Sequence, residues 1–114
     1  MTPDQIQRLR AALPHVRSWI DALLAQHAGQ ARPVSSYDWK RLAAVYPADL
    51  LEQTKVVRLP GRLPFPPVAD VGLPEFAPIQ NMDFDGITFK DTFFVRQDRE
   101  WEGLHFHELV HVVQ

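Results

Sequence analysis

Apolar side chains recur at Ile6, Leu9, Leu13, Val16, Ile20 and Leu23, with His27 in phase, at alternating steps of three and four residues. That is the period of one helical face, and it predicts an N-terminal helical stretch whose stripe packs on the protein's own core. Thr2-Pro3-Asp4-Gln5 supplies the start: a hydroxyl cap, a proline in the first turn and an acid favoured by the helix dipole. Gly29 supplies the end. Pro14 falls inside the stripe and predicts either a kink or the first turn of a second helix.

After a linker at residues 32–36, Ser36 reads as the cap of a helix over residues 37–46. Tyr37, Trp39, Leu42, Ala43, Val45 and Tyr46 make that helix apolar and aromatic, and Pro47 stops it. A further turn over 48–51 leads to residues 54–59, whose β-branched content predicts a strand. Six of the nineteen residues from 60 to 78 are proline, which excludes helix for most of the span, disfavours strand and predicts a surface loop. Pro64-Phe65-Pro66-Pro67 has the spacing of a polyproline ligand and stiffens a loop equally well.

Asp83-Phe84-Asp85-Gly86 is turn chemistry, and the β-rich runs 87–89 and 92–96 around Lys90-Asp91 predict a hairpin. Asp98 reads as the cap of a last helix, with Glu100 and Glu102 in its first turn. The expectation is an α+β fold with N-terminal helices, a small sheet containing the hairpin, and a C-terminal helix. It forms one domain over 1–114: a helical segment 1–53, strands and a proline-rich loop 54–97, and the last helix 98–114.

Composition narrows the functions. The chain is 46% hydrophobic with three tryptophans, enough to supply a core. A net charge of −2 without a basic stripe gives no nucleic-acid partner. The absence of cysteine excludes disulfides, thiolate zinc sites and a cysteine nucleophile. No apolar run approaches the roughly 18 residues of a membrane span and no signal peptide is visible, so the expectation is a cytoplasmic protein without a membrane partner.

The chemistry concentrates in His107-Glu108-Leu109-Val110-His111. H-E-x-x-H is the pattern by which one helical turn makes two zinc ligands and a general base, and a chance match in a chain this long is on the order of 0.3%. His107 and His111 share a face, and Glu108 lies roughly 100° further round, placed to act on metal-bound water without ligating. Phe106, Leu109 and Val113 fall on the opposite side, roughly 200–260° from His107, as an apolar backing.

A catalytic zinc usually takes three protein ligands, and only Val112, Val113 and Gln114 follow His111. The third ligand then lies upstream, comes from another subunit, belongs to a missing C-terminal part, or is lacking in an inactive site. His105 points roughly 160° away from His107 on a continuous helix and reads as a partly buried histidine hydrogen-bonded to backbone. Asp83, Asp85 and Asp91 are explained by turns, Glu100 and Glu102 by the helix start, and His15 and His27 by the first helical stretch.

Residues 84–114, with Gly86-Ile87-Thr88-Phe89, Thr92-Phe93-Phe94-Val95-Arg96 and Leu104-His105-Phe106-His107-Glu108-Leu109-Val110-His111-Val112-Val113-Gln114, resemble the zincin-like metallopeptidase superfamily. The nearest likeness is to small bacterial zincin-like proteins and to metallopeptidase domains associated with contractile injection systems. The resemblance implies a zincin-like fold, Zn2+ held by His107 and His111, and Glu108 activating a zinc-bound water to hydrolyse a peptide or protein substrate. It also implies that the strand at 92–96 borders the cleft, with Phe93, Phe94 and Val95 pairing an extended peptide. The alternative is a catalytically inactive zincin-like binding or structural module. A chain truncated after the motif would also expose an apolar face and self-associate through it.

Overall fold

Chain order explains most of the elements of the computed structural model, which describes residues 1–114. The protein is α+β, with five α-helices and a four-stranded mixed sheet, and folds as two compact units. No helix is long and apolar enough to cross a membrane.

The first unit comprises Met1–Gln26 and Pro64–Asp83. Helix α1 (Pro3–His27) supplies its first segment and opens with a reciprocal capping box. The Gln5 amide donates to Thr2 Oγ1 at 3.1 Å, and the Thr2 amide donates to Gln5 Oε1 at 2.8 Å. Pro14 sits inside this helix, so the stretch is neither ended nor restarted there. Ala12 and Leu23 are buried, whereas Ile6 and Leu13 of the stripe stay exposed. The proline-rich segment is not wholly irregular: a 3-10 turn at Pro74–Phe76 runs into the short helix α4 (Ala77–Gln80). Two prolines fit there because each lies in a first turn, where its missing N–H costs no hydrogen bond. Arg8 joins the two segments, donating to Glu75 Oε1 at 2.9 Å and to the Gly72 carbonyl at 3.0 Å.

The second unit comprises His27–Leu63 and Phe84–Gln114. Its strands are β1 (Arg32–Pro33), β2 (Lys55–Leu59), β3 (Gly86–Phe89) and β4 (Thr92–Arg96), in the order β1-β2-β4-β3. β2 and β4 run parallel, Val56 opposite Phe93, and the β3–β4 hairpin is antiparallel, Thr88 opposite Phe93. The two-residue hairpin turn closes without glycine because Lys90 takes the left-handed region at φ 59°.

The helix foreseen over 37–46 is divided. Val34–Tyr37 forms a 3-10 turn, Asp38 reverses at φ 54°, and helix α2 runs from Lys40 to Val45. Ser36 is therefore no cap; its hydroxyl donates to the Pro33 carbonyl at 2.7 Å. Helix α3 (Ala48–Gln53) follows Pro47. Val56, Phe93 and Val95 from one sheet face meet Val34, Leu42, Leu51 and Leu109 in the core, with Leu109 coming from the last helix, α5 (Glu102–Val113). Phe94 points to the other face, beside Phe89 and the edge of His27.

Candidate metal centre

Helix α5 begins later than its acids suggest. Asp98 lies in a 3-10 turn and pairs with Arg96 at 3.0 Å, and this pairing holds its carboxyl below the usual range. Glu100 and Trp101 are extended, and Trp101 is the N-cap. Glu102 is in the first turn but spends a carboxylate oxygen on α2, accepting from the Arg41 and Leu42 amides at 2.9 and 3.3 Å. The first-turn amides of one helix are thus satisfied by the acid of another.

Four residues apart on α5, His107 and His111 face solvent together. Their Nε2 atoms are 3.3 Å apart, with ring centroids 4.9 Å apart and planes at 81°. Two nitrogens each about 2.0–2.1 Å from a tetrahedral zinc lie about 3.3–3.4 Å apart. The pair therefore has the bite of two zinc ligands. No group of three or more His, Asp or Glu side chains gathers to hold a metal. Asp85 pairs with Arg99 at 2.7 Å, and Asp91 accepts from Thr92 at 3.2 Å. His15 and His27 lie on α1.

Glu108 is 3% exposed and turned from the histidine face towards the sheet. Thr88 Oγ1 donates to Glu108 Oε1 at 2.8 Å, and the same oxygen lies 3.3 Å from the Glu108 carbonyl. Glu108 also lies over Gly86, where a Cβ would come within 3.0 Å of its Cδ and Oε2. Both residues stand on β3, two apart and hence on one face of the sheet.

No family model, curated protein or solved structure matches the chain. The site is therefore read from its own geometry.

Two expectations about its surroundings need correction. Phe93, Phe94 and Val95 do not border a cleft: β4 is paired on both sides, and all three residues are wholly buried. An unbroken apolar run is the mark of a strand covered on both faces, and that signal was present in the sequence. The edge strands are β1 and β3. Nor do Phe106 and Val113 form a buried backing behind the histidine face; they are 36% and 57% exposed, and only Leu109 of the three is buried. The buried arc of α5 runs through His105, Glu108 and Leu109 instead, because Glu108 is drawn under β3.

His105 is fully buried, and its partners are side chains rather than backbone. Trp39 Nε1 donates to its Nδ1 at 3.0 Å, which leaves Nε2–H to donate to Glu100 Oε2 at 2.8 Å. Arg58 Nε donates to the other Glu100 oxygen at 2.6 Å. Burial lowers the His105 pKa, opposed by the Glu100 hydrogen bond. Tyr37 is pushed up to about 12, by burial first and then by Glu100. His105 is thus committed to fixing the start of α5. Thr88, Gly86, Trp39 and Arg58 carried no sequence signal, since each reads locally as an ordinary strand, turn or core residue.

Proposed function

We propose that the protein is a zinc-dependent peptidase in which His107 and His111 hold the metal and Glu108 is the general base. The observation that carries this reading is the 3.3 Å separation of two exposed imidazole Nε2 atoms on the turn that bears a buried, oriented carboxylate. Zinc bound there would supply a Lewis acid and lower the pKa of a water. Glu108 takes the proton of the attacking water and returns it to the leaving amine. A peptide substrate in extended form fits the outer edge of β3, next to Glu108, where a further strand could add to the sheet.

A second reading, a metal-binding or structural module without hydrolysis, is favoured by the limit of two protein ligands. One experiment separates them: zinc content by elemental analysis and hydrolysis of an unfolded casein, for wild type, His107→Ala and Glu108→Gln. The peptidase reading expects about one zinc per chain, lost in His107→Ala, with hydrolysis lost and zinc kept in Glu108→Gln. Zinc without hydrolysis in the wild type selects the second reading. No zinc after reconstitution at neutral pH removes the peptidase reading and leaves a structural module without metal.

A further inference from the structure

We propose that Thr88 is the positioning residue for Glu108, a role that rests on the peptidase reading for its catalytic meaning and on β3 for its geometry. A threonine hydroxyl has one proton to give. The Glu108 Oε1 at 2.8 Å lies at an ordinary O–H···O distance, and the main-chain carbonyl at 3.3 Å lies beyond it, so the side chain takes the proton. Oε1 is thereby committed. No protein donor engages Oε2. Since no buried side-chain oxygen is left without a partner, Oε2 reaches solvent. The carboxylate is held with one oxygen on the sheet and the other open to accept a proton.

Gly86 completes the cradle. A side chain there would meet Cγ, Cδ and Oε2 of Glu108 at 3.0–3.1 Å and force the carboxylate to shift by a few tenths of an ångström. Gly86 and Thr88 pair with the buried Val95 and Phe93 of the inner strand β4, so a rigid strand sets the position of both. The hydroxyl on the strand and the carboxylate on the helix are twenty residues apart in the chain.

The test uses the full chain with Thr88→Val, which keeps the β-branched shape and removes the hydroxyl, and Thr88→Ser, which restores it. The first readout needs no activity: the 13C resonance of the Glu108 side-chain carboxyl in zinc-free protein, assigned by its loss in Glu108→Gln. It is expected to move in Thr88→Val and return towards wild type in Thr88→Ser. The second readout is casein hydrolysis by zinc-loaded protein. There kcat is expected to fall about 10- to 100-fold in Thr88→Val at unchanged KM and zinc content, with recovery in Thr88→Ser. An unmoved resonance in Thr88→Val overturns the proposal whether or not the wild type is active. A moved resonance with unchanged kcat also overturns it, leaving Thr88 a strand residue with a hydrogen bond. If the wild type hydrolyses nothing while the resonance moves and is restored, the peptidase reading fails and the cradle stands.

Discussion

His105 lies two residues before His107 and has a different task. It is enclosed, accepts from Trp39 and donates to Glu100, so it is held neutral as one tautomer. Its pKa in the folded protein is lowered below the ordinary histidine value of 6.5, burial being the largest cause. The unfolded chain therefore binds the proton first as pH falls, and stability drops with it. In zinc-free protein the urea midpoint should decline as pH falls through about 6.5. The slope should shrink in His105→Gln, which keeps a donor and an acceptor. An unchanged slope would assign the pH dependence elsewhere. The pairing of His107 with His111 was legible from spacing alone; the third histidine's part was not, because its partners come from positions 39 and 100.

At the level of elements, α5 separates what is amphipathic on a wheel from what is buried. The sequence places Leu109, Phe106 and Val113 on one apolar side, yet the core receives only Leu109. Leu109→Ala should cost about 2–5 kcal/mol of unfolding free energy, as for a filled core site. Val113→Ala, at a position 57% exposed, should lie within about 0.5 kcal/mol of wild type. Equal losses in chemical denaturation would mean that α5 is rotated from the orientation described. The hairpin provides a second check. Lys90 adopts φ 59°, a region that glycine enters freely, so Lys90→Gly should raise stability by up to about 1 kcal/mol. A lower midpoint in that variant would show that the lysine side chain contributes more than its backbone costs.

On the scale of the whole molecule, the two units differ in what holds them. Buried apolar residues in the first are Ala12, Leu23 and Leu73, against eleven in the second, among them Val56, Val57, Phe93, Phe94 and Val95. Amide hydrogen exchange should therefore be slowest in β2 and β4 and faster across residues 64–83. Uniform protection would contradict this division.

The elements with strong local signals were legible from the sequence: the first helix with its cap, the strand after residue 54, the hairpin and the H-E-x-x-H helix. Hydrophobic period and turn chemistry act between neighbours, so they need no knowledge of the fold. The paired imidazoles of His107 and His111 belong to the same class, because helix geometry alone brings residues four apart together. Tertiary structure decided the rest. The parallel pairing of β2 with β4 puts Phe93–Val95 inside and leaves β3 at one edge of the sheet. That choice sets which residues β4 buries and which hydroxyl meets Glu108. Strand order is fixed by packing between distant segments, and side chains that meet only through it leave no periodic trace in the chain.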